Sequence, residues 1–151
     1  MKLYDNVYMK RFLYFNLYVI KGTKGDILID TGFMCMKRSI KKWLDNFNIK
    51  LIILTHAHVD HVYNVSYIKK LYNCEVAMGI NDISNLDNSI INSKPKSKGF
   101  GLWTYVMNFG MKHIKYESFD IDIKLKDKQV IRRYGIYLKI FDLPGHTNGS
   151  I

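Results

Sequence analysis

Cysteine is nearly missing from this chain. Cys35 and Cys74 are the only two in 151 residues, and they do not form a CxxC pair. That excludes a disulfide-stapled secreted module, and two reduced thiols suit the cytoplasm. Proline is equally scarce, with two residues beside an abundance of Lys, Ile, Asn and Tyr; this bias carries little functional weight. Long apolar runs are also absent. No segment approaches the roughly 20 residues needed to cross a bilayer. The apolar stretch 12–20 follows Lys10-Arg11 but is short, is interrupted by Asn16 and runs into Lys21-Gly22-Thr23-Lys24 with no small-residue cleavage site. It reads as a buried strand rather than a signal peptide. Acidic residues are in deficit, 13 against 23 basic ones, for a formal charge of +10. Such a charge attracts polyanions. The lysines are scattered from Lys2 to Lys139, however, and the tightest runs, such as Lys41-Lys42 and Arg132-Arg133, are short. A solvated basic surface is favoured over a dedicated nucleic-acid face.

What is present is a globular composition, 48% hydrophobic and 14% aromatic, long enough for a single domain over 1–151. Residues 13–20 and 26–30 read as two strands joined by a turn at 22–25, a hairpin. Ile40, Trp43, Leu44 and Phe47 have helical spacing over 37–47, with Lys37, Lys41, Lys42 and Asp45 on the wet side. Residues 51–54 are wholly apolar, the pattern of a strand buried on both faces. Helical spacing returns over 62–72, and 75–78 is another short strand. This alternation predicts an α/β layered sheet. A short helix is expected near 81–86, then a polar loop to 101 with the length of a lid or of a tolerated surface excursion. The type of 102–111 stays open. Strands are expected at 119–123, 129–132 and 136–142, with Gly135 in the turn between the last two.

The chemistry concentrates directly after the strand at 51–54. In Thr55-His56-Ala57-His58-Val59-Asp60-His61, three of the five histidines and an aspartate fall within six residues. Imidazole and carboxylate are ligands suited to zinc, and iron or manganese would also accept them. His56 and His58 are two apart, so an extended backbone sends both side chains to one side, where they can share an ion. Asp60 and His61 follow as the chain turns into a helix and can face a second ion. The helix N-terminus would favour ionised Asp60. A buried histidine taken singly is usually hydrogen-bonded core, but this density and spacing are not explained that way. His146, in Leu143-Pro144-Gly145-His146-Thr147-Asn148-Gly149-Ser150, again sits just past a strand end, where α/β proteins place their chemistry. With His56 and His58 it completes a three-imidazole tripod that leaves one position open for water. His113 lies in a lysine-rich stretch and reads as a surface residue.

These motifs resemble the metallo-β-lactamase-fold hydrolases. The resemblance rests on Thr55 to His61, on Asp30-Thr31-Gly32 before it and on Gly145 to Ser150 after it, and it spans nearly the whole chain. It implies an αββα sandwich. It implies that His56, His58 and His146 hold a first metal, that Asp60 and His61 hold part of a second, and that Asp30 is structural. The family pattern continues beyond a GHTxGS-like segment with elements that supply a carboxylate bridging both metals and a last histidine. No residue of this chain corresponds to either. The expectation is therefore a C-terminally truncated domain with its second half incomplete. The first metal site is complete and the second partial. An exposed sheet edge invites self-association or a completing chain.

The function implied is metal-assisted hydrolysis of a small-molecule ester, thioester, lactone or phosphodiester. A metal-activated water is the nucleophile, and Asp60 is the catalytic residue that orients it. Trp103 and Tyr105 are candidate substrate contacts, with core packing as their default. The alternatives are a catalytically inactive remnant holding at most one metal, and a nuclease of the same fold. A redox di-iron variant is disfavoured because His58 stands where that branch carries a carboxylate.

Overall fold

The computed structural model describes residues 1–12, 15–87 and 115–151. The expected loop beyond residue 87, the segment 102–111, and Trp103, Tyr105 and His113 lie outside them.

One mixed sheet organises the chain. Strands β1 (Val7–Arg11), β2 (Asn16–Ile20) and β3 (Asp26–Ile29) pair antiparallel in succession. Strands β4 (Ile49–Leu54), β5 (Glu75–Gly79) and β6 (Ile123–Leu125) then add parallel to β3, giving the order β1-β2-β3-β4-β5-β6. Parallel neighbours need crossovers, and helices supply them. Helix α1 (Lys37–Leu44) links β3 to β4, while α2 (Val59–Val62) and α3 (Val65–Tyr72) link β4 to β5. After β5 come a 3₁₀ turn, Ile80–Asp82, and the short helix α4 (Ser84–Asp87). A second sheet is the antiparallel hairpin of β7 (Val130–Arg133) and β8 (Ile136–Lys139).

The side-chain alternation of β4 shows why its residues 51–54 are all apolar. Ile52 and Leu54 pack with Ile40, Leu44, Val62, Val65 and Ile68 of the helical layer. Leu51 and Ile53 face the opposite way and pack with Ile131, Ile136 and Ile140 of the hairpin layer. Strand β5 repeats this, with Val76 and Met78 towards the helices and Ala77 towards the hairpin. Helices therefore cover one face of the large sheet and a second, smaller sheet covers the other. This is the α-β-β part of the expected sandwich. Exposed apolar side chains gather after the hairpin, with Phe141 at 50% and Leu143 at 65% exposure.

Three local readings are corrected. Residues 62–72 are not one helix. The turn at Tyr63-Asn64 separates α2 from α3, because Asn64 donates its side-chain amide to the carbonyls of Thr31 and Phe33. Residues 119–122 are not strand. Phe119 and Ile121 pack against the helical core instead, and the ladder with β5 begins at Ile123. The first strand, β1, was not expected. It is half-buried with Lys and Arg among its residues, so its sequence carries no clean alternation.

Candidate metal centre

The site lies at the C-terminal ends of β3 and β4, where the parallel strands deliver their following loops. Strand β4 ends at Leu54, and the chain runs extended through His58 before α2 begins at Val59. His56 is buried, while Asp60 sits in the first turn of α2 and His61 in its last. The turn after β8 brings His146 over the same spot. Candidate ligand atoms of His56, His58 and His146 all lie within 4.8 Å of one another. Their rings meet edge to face, with centroids 4.6 Å apart for His56 and His58, 4.7 Å for His56 and His146, and 4.5 Å for His58 and His146.

Asp30 lies beneath this group, at the end of β3, and its backbone has a left-handed φ of 59°. That conformation is uncommon for a residue with a side chain and marks a position where the surrounding structure holds the backbone in place. The Asp30 carboxylate accepts the backbone N–H of Thr55 at 2.8 Å and the Thr55 hydroxyl at 2.8 Å. It also accepts Nδ1 of His61 at 2.8 Å. The Thr55 hydroxyl, having donated to Asp30, has lone pairs to accept from His56 Nδ1 at 3.0 Å. One chain of hydrogen bonds therefore fixes the tautomers of both histidines and directs the Nε2 lone pairs away from Asp30. Such outer partners orient metal-ligating histidines. Thr31 adds support, since its N–H and hydroxyl both donate to the carbonyl of His61.

Two groups of donors result. His56, His58 and His146 form one. Asp60 Oδ2 and His61 Nε2, 3.6 Å apart, form the other, with the His56 and His61 rings 4.0 Å apart between them. Within the first group, electrostatics favours the neutral imidazole at His56 and at His58. Burial, followed by the charges of His61, His58 and His146, pushes His56 down to a pKa of about 2. Burial and His146 lower His58 as well. For His61, burial opposes the charged form, but the hydrogen bond to Asp30 and the charges of Asp30 and Asp60 together outweigh it and raise the pKa.

The donor set fits a metal ion. His56 Nε2 is a buried polar atom that has no hydrogen-bond partner among the described residues. A buried nitrogen lone pair without a partner is costly. A cation at the convergence of the three histidines would satisfy it, and neutral nitrogens are the state in which imidazole binds a metal.

All five candidate ligands from the sequence reading lie in this neighbourhood, and Asp30 has the supporting place expected of it. Two contributors had gone unread. Asn64 clamps the loop after β3, and Asp82 accepts the N–H of Ala57, between the two histidines of the motif, at 2.6 Å. Asp82 follows β5 just as the histidine motif follows β4, and an acidic residue at a neighbouring strand end was the available signal.

The chain belongs to the metallo-beta-lactamase superfamily, whose family model it matches over residues 12–151. It is 31% identical over 139 residues to a probable metallo-hydrolase of Methanocaldococcus jannaschii, covering 90% of this chain and 60% of that protein. Among solved structures, it is similar to a subclass B3 metallo-beta-lactamase of Bradyrhizobium japonicum. That match has a TM-score of 0.79 and 25% identity, and covers 99% of this chain and 53% of the other. A metallo-beta-lactamase of Elizabethkingia meningoseptica matches with a TM-score of 0.77 and 26% identity, over 99% and 53% of the two chains. The chain thus spans about half the length of the relatives it matches.

Proposed function

We propose that this chain, as one domain, performs metal-dependent hydrolysis, with zinc held by His56, His58 and His146 and a second ion approached by Asp60 and His61. The observation that carries the reading is the convergence of ligand atoms of the three imidazoles within 4.8 Å, with His56 Nε2 buried and without a hydrogen-bond partner among the described residues. Membership of the metallo-beta-lactamase superfamily supports it, as does the likeness to a probable metallo-hydrolase.

When bound, zinc on three histidines supplies Lewis acidity and an open position at which water ionises near a pKa of roughly 7. The protein's own residues provide the rest. Asp30 and Thr55 hold His61 and His56 in single tautomers. Asp60, with a side chain 40% exposed and an oxygen facing His61, orients the attacking water and takes up its proton. The exposure of His146 and Asp60 leaves the site open on the substrate side. The substrate proposed is a small ester, thioester, lactone or phosphodiester processed in the cytoplasm. The formal charge of +10 favours anionic members of that set and keeps a second reading, a nuclease of the same fold, in play.

The test is hydrolysis by zinc-loaded protein of a panel with one member of each substrate class, plus single-stranded RNA and DNA. The expected result is turnover of at least one member, abolished by chelation, restored by zinc and lost in Asp60→Asn with metal retained. Turnover that survives chelation contradicts the proposal. Zinc-loaded protein inert towards the whole panel favours the inactive, metal-binding remnant.

A further inference from the structure

Asp82 is fully buried and is not a candidate ligand. Its Oδ2 accepts the backbone N–H of Ala57 at 2.6 Å, and its Oδ1 accepts the side-chain amide of Asn85 at 2.7 Å. Ala57 stands between His56 and His58, so this bond grips the backbone of the histidine loop at its centre. The backbone of Asp82 meets the other arm of the site. Gly149, three residues after His146, lies so close that a Cβ there would collide with the backbone nitrogen of Asp82. A Cβ on Gly149 would also come within 2.7 Å of the Asp82 Cβ. The loop's end is fastened to the motif strand independently, because Ile151 donates its N–H to the carbonyl of Thr55 at 3.0 Å.

We propose that Asp82 is a positioning residue for the metal centre. Its carboxylate fixes the His56–His58 loop, and its backbone seats the segment that carries His146, so one buried residue sets the spacing of all three imidazoles. This rests on the metal-site reading above. A carboxylate taken from water to complete only a structural turn would be a costly choice, since burying charge is expensive unless it is strongly hydrogen-bonded. Here the carboxylate accepts a backbone donor that lies within the metal loop. Gly149 follows from the same geometry, because no larger residue lets the His146 segment lie against Asp82.

The experiment measures zinc affinity by competition with a chromophoric chelator, alongside the visible spectrum of the cobalt-substituted protein. Wild type is compared with Asp82→Ala, Asp82→Asn and Asn85→Ala, all at a temperature where circular dichroism shows them folded. Asp82→Ala is expected to bind zinc about 10–100-fold more weakly, the usual cost of losing an outer partner of a metal ligand, and to change the cobalt spectrum. Asp82→Asn keeps an acceptor for Ala57 and, with the Asn85 amide turned, restores affinity to within a few-fold of wild type. If Asp82→Ala does not fold, Asn85→Ala, which frees one carboxylate oxygen, is expected to weaken zinc several-fold. Wild-type affinity and an unchanged cobalt spectrum in the folded Asp82→Ala, or in Asn85→Ala where Asp82→Ala does not fold, overturn the proposal. Asp82→Asn as weak as Asp82→Ala also overturns it. A wild type that binds no zinc instead refutes the metal-site reading on which it stands.

Discussion

The two ring nitrogens of His56 have different fates: Nδ1 meets the Thr55 hydroxyl, and Nε2 is buried with no partner among the described residues. This division has a consequence for pH. In the metal-free protein burial holds His56 at a pKa of about 2, whereas in the unfolded chain it takes up a proton near 6.5. Between those values the unfolded state binds the extra proton, so stability falls as pH is lowered through that window. The loss is about 1.4 kcal/mol per pH unit for one histidine that stays neutral. His58, also lowered, acts in the same direction. His61 is raised, so its contribution is fully present below 6.5 and is lost only as pH rises through its folded value. It does not offset the slope on the acid side. Thermal melts of metal-free protein should therefore give a lower Tm at pH 5 than at pH 7, and His56→Gln should shrink the difference. An equal or higher Tm at pH 5 contradicts this account of the site. At this level the sequence pointed to the candidate ligands and, among their supports, to Asp30. Ligand type and spacing pick out His56, His58, Asp60 and His61 within one short motif. Asp82 and Asn64 act through backbone groups far along the chain; for Asp82 the signal was an acidic residue just past a neighbouring strand end, and no local pattern announces the Asn64 contacts.

The helices and strands were legible where a single periodicity governs them. Strand β4 is apolar at successive positions because both of its faces are covered, and α1 shows its buried stripe at Ile40 and Leu44. The misreadings have a common physical source, since tertiary contacts overrode local pattern. Asn64 spends its amide on the loop after β3, and 119–122 uses alternating apolar residues for packing rather than pairing. The turn between β7 and β8 was legible from Gly135. Tyr134 and Gly135 both have positive φ, 57° and 77°, as a tight two-residue hairpin turn of matching twist requires. A Cβ at Gly135 would also strike the Thr23 side chain in the turn between β2 and β3. Gly135→Ala should therefore destabilise the protein by about 1–3 kcal/mol through backbone strain, with the clash in addition. Urea denaturation measures it as a lowered midpoint. An unchanged midpoint would mean that the hairpin turn does not dock on the large sheet.

The molecule as a whole places one helical layer, a six-stranded sheet and a hairpin layer around two apolar clusters, with the histidines at the strand ends above them. Among the described residues no helix is long and apolar enough to cross a membrane. Some of the surface cations form local ion pairs, such as Lys41 with Asp45 and Lys69 with Asp122. Each such exposed pair contributes little, typically about 0–1 kcal/mol, so the stability resides in the two clusters. The fold class was readable because the motif order, strand end, histidine cluster and distant glycine–histidine turn, matches the order in which the sheet delivers its loops. The central claim is that His56, His58 and His146 bind one ion together, and zinc stoichiometry tests it most directly. Metal-free protein is titrated with zinc, dialysed and analysed for bound metal, beside His58→Ala and His146→Ala, whose side chains are less buried than that of His56. At least one tightly held zinc per chain in the wild type, and one fewer in each folded variant, is the result predicted. A wild type that retains no zinc, or variants that retain as much as the wild type, would contradict it.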